Sequence, residues 1–253
     1  MLNQEIPKEI VANLKVLVLD SDGVCVERGT KICETEEGNY CKLVFESNKI
    51  SDRLSEKINV LSKKMQIVIS SGRSLIYLQS MYSKVRDKIL MAENGNLIMF
   101  PDGTIKSVSY PTYYFEKLAL IKNDIKKLSI SGFEPKQHIL TVHCPEELQE
   151  VYAIVDKHDQ EKMLKVMWNK EAFDIQDKLA SKGAALENLI VNYLGFHKDN
   201  VIAIGDRLND KEMVEWAKVG VSADINCLPA EYFIENSNLA GEILVDYLLL
   251  NLK

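Results

Sequence analysis

The stretch KVLVLDSDGV, residues 15–24, runs through apolar residues and stops at two aspartates. Val16–Leu19 is continuously apolar and β-rich, the pattern of a strand buried on both faces of a parallel sheet. Asp20 and Asp22 are two apart, so an extended backbone projects both to one side. Gly23 then lets the chain turn sharply. Two adjacent carboxylates repel unless one holds a proton or a cation lies between them. A hard cation such as Mg²⁺ takes carboxylate and carbonyl oxygens and keeps waters for a phosphate partner. A carboxylate can also act as a nucleophile and form an aspartyl phosphate. Taken alone, the pair reads equally well as a cap for the next element.

Two more apolar runs, Ile67–Ile69 and Val201–Ile204, have the same character, and each also ends in small polar or acidic residues. Helical patterns lie between the runs. Ile50, Leu54, Ile58 and Leu61 give a face to Ile50–Lys64, with Ser51 or Asp52 as its cap. Ser74–Arg86, Gly183–Leu194 (closed by Gly195) and Asn209–Ala217 are further helices. Strand alternating with helix implies a parallel sheet with right-handed crossovers. In such sheets the site lies beyond the carboxyl ends of the strands.

The polar clusters fall at those ends. In Ser71-Gly72-Arg73, a hydroxyl and backbone N–H groups at a helix start form a phosphate cradle, or Ser71 is a simple cap. Lys182-Gly183 precedes a strong helix. That lysine pairs with a phosphate or a catalytic carboxylate, or it is a solvated surface group. Gly205-Asp206-Arg207-Leu208-Asn209-Asp210 brings further carboxylates to a third strand end. A shared divalent cation relieves the repulsion among Asp20, Asp22 and Asp206; the alternative is a turn capped by Asn209 or Asp210. Each modest reading suffices singly. Their joint occurrence, in this order and each at a strand end, favours one site.

The middle of the chain differs. Asn96–Ser109 reads as a hairpin with an Asp-Gly turn at Asp102-Gly103. Then come a helix over Tyr113–Ile130, a strand over His138–Cys144, a helix over Pro145–His158, and strands over Leu164–Trp168 and Ala172–Ile175. This is a small α+β unit, residues 110–176, inserted in a parallel core of residues 1–109 and 177–253. The 253 residues carry 46% hydrophobic side chains and a net charge of −6, enough for a core and without a basic footprint for nucleic acid. Five cysteines with no CxxC pair imply reduced thiols and a cytoplasmic setting. His138, His143 and Cys144 read as strand residues before they read as metal ligands. The N-terminus lacks a signal-peptide core, and no apolar stretch is long enough to span a membrane.

With these clusters in place, the chain resembles the haloacid dehalogenase superfamily of phosphohydrolases. DSDGV resembles its first motif, Ser71-Gly72-Arg73 the second, Lys182-Gly183 the third and GDRLND the fourth. The insert, with Glu93-Asn94-Gly95 before the hairpin, resembles the type IIB cap of Cof-type sugar phosphatases. The resemblance implies a doubly wound, Rossmann-like parallel core with an inserted α+β cap. It implies Asp20 as nucleophile and Asp22 as acid, then base. Ser71, Gly72, Arg73 and Lys182 would bind phosphate or substrate. Mg²⁺ would be held by Asp20, the backbone carbonyl of Asp22, and Asp206, with Asn209 and Asp210 supporting metal or phosphate. The implied substrate is a small phosphorylated metabolite, a sugar phosphate or sugar-acid phosphate, and Tyr113, Tyr114, Trp168, Asn169 and Lys170 are candidates to recognise it. A phosphomutase of the same fold, a non-catalytic binding module and a dehalogenase are the alternatives. Val24 replaces the commoner threonine. Arg207 is a bulky choice in the fourth motif, reaching a second anionic group or making a surface ion pair. Cys25–Ser51 is longer than the motif spacing needs. It reads as strands near Cys25–Arg28 and Tyr40–Phe45 with a turn at Gly38-Asn39, similar to the flap of 3-deoxy-manno-octulosonate 8-phosphate phosphatases, or as a surface loop without a role.

Overall fold

The computed structural model describes residues 1–37, 40–235 and 240–252, which divide into two compact units. The first comprises residues 1–29, 48–107 and 181–253; the second comprises 30–47 and 108–180.

The first unit is built on an eight-stranded sheet. Its order is Tyr232–Phe233, Val219–Ser222, Val201–Gly205, Val16–Asp20, Gln66–Ser70, Lys88–Ala92, Leu97–Met99 and Ile105–Ser107. The first six run parallel, and the last two form the hairpin expected around Asp102-Gly103. Val16–Asp20 is central and buried at every residue, as its apolar run requires. One face carries Val16, Val18, Val68, Val201 and Ala203 against Leu186, Ile190, Met213 and Val214 of the helices that follow. Strand alternation sends Leu17, Leu19, Ile67 and Ile69 to the other face, equally buried. Lys88–Ala92 and Val219–Ser222 escaped the sequence reading: the first is short and poor in β-branched residues, and the second is interrupted by Gly220.

Local signals set the helices. Ser51 caps Asp52–Leu61, its hydroxyl accepting from Leu54 N at 3.1 Å. Ser181 caps Lys182–Asn188 by accepting from Ala184 N at 3.1 Å. That helix widens into a π-turn at Leu189–Tyr193 and stops at Gly195, whose φ is +68°.

The second unit is an antiparallel sheet backed by two helices, Thr112–Ile125 and Gln149–His158. Strand order is Leu164–Trp168, Ala172–Asp177, Leu140–His143, Gly132–Glu134, Lys31–Glu37 and Tyr40–Glu46. Phe133, Val142 and Phe173 sit in register across three strands and pack on Tyr114, Leu118, Ile121, Val151 and Val155. Pro145 does not open the second helix. Residues 145–148 stay outside it, with Leu148 packed on the unit's core.

Of the two strands expected in Cys25–Ser51, the second is present as Tyr40–Glu46, and the first lies at Lys31–Glu37. Cys25–Arg28 is not a strand: Cys25 N and Val26 N both donate to Ser21 O, closing a tight turn. The strand pair runs from Lys31 to Glu46, and the expected Gly38-Asn39 turn lies outside the described residues. Glu34 pairs with Phe133, so the hairpin extends the second unit's sheet instead of staying with the 1–109 core. Gly132 permits the junction, because a Cβ there would fall 2.4 Å from Glu34 O. No helix among the described residues is long and apolar enough to cross a membrane.

Candidate active site

Parallel pairing aligns the strand ends that carry chemistry. Asp20 is in register with Ser70, and the strand ending at Gly205 lies on the other side of Val16–Asp20. The chain therefore delivers Asp20, Ser71 and Asp206 to one edge of the sheet without any long-range adjustment.

Asp20, Asp206 and Asp210 come together there. Each offers a carboxylate oxygen within 4.8 Å of the others, and all three are buried. Lys182, 1% exposed, reaches in from the start of its helix. Its Nζ donates to Asp20 Oδ1 and to Asp210 Oδ1, both at 2.5 Å. The second oxygen of Asp210 accepts from Asp206 N at 3.0 Å and Arg207 N at 3.2 Å, which fixes the loop after the strand. Asp206 pairs with the Arg28 guanidinium.

This packing leaves the charges unequally served. Burial, and then the Asp210 carboxylate, push Asp20 up to about 7, against the lowering pull of Lys182. Burial works against the charge of Lys182, yet Asp20 and Asp210 hold it above the ordinary lysine value. Three buried carboxylates face two side-chain cations, Lys182 and Arg28. That excess suits a hard divalent ion, and the all-oxygen donor set matches the preference of Mg²⁺. Among the described residues this is the one group of acidic, histidine or cysteine side chains gathered for a metal; His138, His143 and Cys144 form no such group.

Asp22 has a different setting. One of its carboxylate oxygens lies 3.3 Å from Arg73 Nε, and the other is buried without a hydrogen-bond partner. Its side chain stays outside the three-carboxylate group. Ser71 is also buried; its hydroxyl accepts from Arg73 N at 3.2 Å and keeps its own proton to donate. Gly72 sits in the same turn, where a Cβ would fall 3.2 Å from Asn94 Oδ1. Asn209 is exposed on the turn Leu208–Asp210, apart from the buried set. Arg207 donates to Cys227 Sγ and lies 3.7 Å from Asp224, a partly exposed pairing that occupies it.

Two features gave no signal in the sequence. Arg28 follows the first motif in a stretch without periodicity. Ser21, between the two aspartates, is held from below: Tyr82 OH donates to its hydroxyl at 3.0 Å, and Ser21 Oγ donates to Met81 Sδ at 3.2 Å.

The residues proposed for leaving-group recognition mostly serve the second unit itself. Tyr114 is buried, stacks on Tyr110 at 4.3 Å and donates to His138 O. Trp168 packs on Phe173 at 4.6 Å, and Asn169 closes a turn by accepting from Glu171 N and Ala172 N. Tyr113 and Lys170 remain exposed.

The family model of haloacid dehalogenase-like hydrolases matches residues 43–128 and 106–224. The chain belongs to this family. A Methanopyrus kandleri protein named phosphoglycolate phosphatase is 26% identical over 159 residues, 61% of this chain and 67% of that protein. A Bacillus subtilis protein named "Putative phosphatase YxeH" is 35% identical over 91 residues, 36% of this chain, and the match spans only about a third (33%) of that relative's length. The solved C-terminal domain of C. albicans trehalose-6-phosphate phosphatase superposes with a TM-score of 0.64 at 19% identity, covering 97% of each chain. At that identity the likeness is one of fold. The hydrolase family and the parallel core agree with the fold class expected from the strand-end clusters.

Proposed function

We propose that this chain is an Mg²⁺-dependent phosphatase acting on small phosphate monoesters, sugar phosphates or sugar-acid phosphates among them. The observation that carries the reading is the convergence of Asp20, Asp206 and Asp210 from two strand ends onto Lys182 in one buried pocket. A relative named for phosphoglycolate supports a small phosphate monoester as the substrate class.

In this reading an Asp20 oxygen forms a bond to phosphorus while the bond from phosphorus to the ester oxygen breaks. Asp22, carrying a proton, gives it to the departing alcohol. A water then attacks the aspartyl phosphate, yielding its proton to Asp22, and inorganic phosphate leaves with Asp20 restored. Arg73 orients one oxygen of Asp22 and leaves the other without a hydrogen-bond partner, so that this oxygen can meet the ester oxygen or the water. Ser71 Oγ–H and Lys182 Nζ hold phosphoryl oxygens, and positioning of this kind supplies most of the catalysis of phosphoryl transfer. Asp20, Asp206, Asp210 and the Asp22 carbonyl would hold Mg²⁺, which when bound neutralises phosphoryl charge. The second unit serves as the cap that selects the leaving group, with Tyr113 and Lys170 its exposed candidates.

The test is phosphate release from a panel of phosphorylated metabolites with Mg²⁺. Wild type is expected to turn over several of them, and folded Asp20→Asn none. Near-normal turnover by Asp20→Asn removes the nucleophile assignment. No turnover by wild type on any ester leaves a binding module, and an isomerised sugar in place of free phosphate makes it a mutase.

A further inference from the structure

Arg28 has no place in the chemistry just described, yet its guanidinium rests on Asp206, one of the three gathered carboxylates. We propose that Arg28 is a built-in counter-cation that competes with the divalent ion for Asp206, so that metal entry displaces it and Arg28 sets how tightly the metal is held. This inference rests on the metal reading of the site given above.

Four observations carry it. The Asp206 side chain is 6% exposed, so its charge requires a partner, and among the described residues Arg28 is its side-chain partner. Lys182 directs its bonds to Asp20 and Asp210, and none of them goes to Asp206. The Arg28 side chain is 43% exposed, so its head can move to water while its stem stays put. Finally, the chain is shaped to bring the arm there. Gly23 adopts a φ of +91°, and a Cβ on it would fall 2.1 Å from Asp206 Oδ2 and 2.8 Å from Arg28 Nη2. The missing side chain at Gly23 is therefore the space in which arginine and aspartate meet. Gly23 N donates to Val26 O at 2.7 Å, and Asn48 Nδ2 donates to the carbonyls of Glu27 and Arg28 at 3.1 and 2.9 Å. Those bonds pin the base of the arm near the pocket whether or not its head is engaged.

Competition has a thermodynamic signature. Removing Arg28 strips a partner from a buried carboxylate in the metal-free protein only; in the loaded protein that carboxylate already has one. The difference between the two states appears as tighter metal binding, and coupling of this kind is reciprocal.

The experiment uses the full chain freed of metal by chelation. Calorimetric titration of MgCl₂ is run on wild type and Arg28→Ala, with thermal melts in chelator and in excess Mg²⁺. Arg28→Ala is expected to bind Mg²⁺ about tenfold more tightly, an ordinary size for coupled sites. It is also expected to melt below wild type without metal and level with it when loaded. In wild type, labelling of Arg28 by an arginine-selective dicarbonyl, read by mass spectrometry, should rise when Mg²⁺ is added; this arm needs no variant to fold. Unchanged or weaker Mg²⁺ affinity in Arg28→Ala overturns the proposal, and so does labelling that Mg²⁺ does not raise. A wild type that binds no Mg²⁺ overturns both this and the metal reading beneath it, whereas metal binding blind to residue 28 overturns this alone.

Discussion

Each unit holds a lysine bonded to two carboxylates, half-buried in one and buried in the other, and the two triads behave in opposite ways. In the second unit Lys117 donates to Asp159 at 2.6 Å and Glu161 at 2.9 Å. In the first, Lys182 donates to Asp20 and Asp210. Asp159 is buried, which alone would raise its pKa, but Lys117 and backbone donors, among them Leu164 N at 2.7 Å, hold it below the usual carboxylate range. Asp20 has the same kind of cation and is nevertheless pushed up to about 7. The difference lies in the surroundings. Glu161 stands largely in water and does not crowd Asp159, whereas Asp210 is as deeply buried as Asp20 and repels it. One triad is a satisfied structural clamp; the other stores unrelieved charge where a substrate and a cation would enter.

The largest expected effect separates the two lysines by activity. Lys182→Ala should cost at least about 10²–10³ in kcat, the loss seen when one group aimed at developing charge is removed. Lys117→Ala should leave kcat within about twofold of wild type. Steady-state kinetics on the best ester of the panel checks both, and a loss of only a few-fold for Lys182→Ala would put it on a level with its structural counterpart. The next effect inverts the ranking. Lys117→Ala leaves buried Asp159 without its cation and should destabilise the protein by about 2–3 kcal/mol, less than the 3–5 kcal/mol of a fully enclosed pair because one partner is exposed. Urea unfolding measures it; a change under about 0.5 kcal/mol would mean the clamp contributes no more than a surface pair.

The same contrast explains what the sequence could disclose. Val16–Leu19, Ile67–Ile69 and Val201–Ile204 are legible because a strand buried on both faces must be apolar throughout, and its end is where polar residues begin. Asp20, Lys182 and Asp206 were therefore visible as a constellation before any coordinates. Lys117 with Asp159 was not, since a lysine in a helix and an aspartate in a later turn carry no shared spacing. Arg28 was hidden for a related reason: its position depends on a tight turn at Ser21–Val26 that composition does not announce. The hairpin's allegiance to the second sheet turned on one backbone junction, Glu34 with Phe133, which no hydrophobic pattern encodes.

The smallest effect tests whether charge at Asp20 is indeed unrelieved. Its folded pKa, near 7, stands above the ordinary carboxylate value near 4. Between those limits the folded protein binds a proton that the unfolded chain has released, so stability falls as pH rises through the window. A satisfied carboxylate such as Asp159 gives the opposite slope at its own, lower range, with stability present above the ordinary value and lost as pH drops. Asp20→Asn removes the titration while leaving an oxygen for Lys182. In chelator the variant should therefore lose less stability than wild type between about pH 4 and 7. Above pH 7 it should melt higher by about 2–4 °C, the shift that about 1 kcal/mol produces in a chain of this size. Added Mg²⁺ should reverse the order, because wild type gains a ligand for the cation that the variant lacks. If instead the metal-free variant melts below wild type across this range, the Asp20–Lys182 contact is a stabilising pair like Lys117–Asp159, and the two triads differ in burial alone.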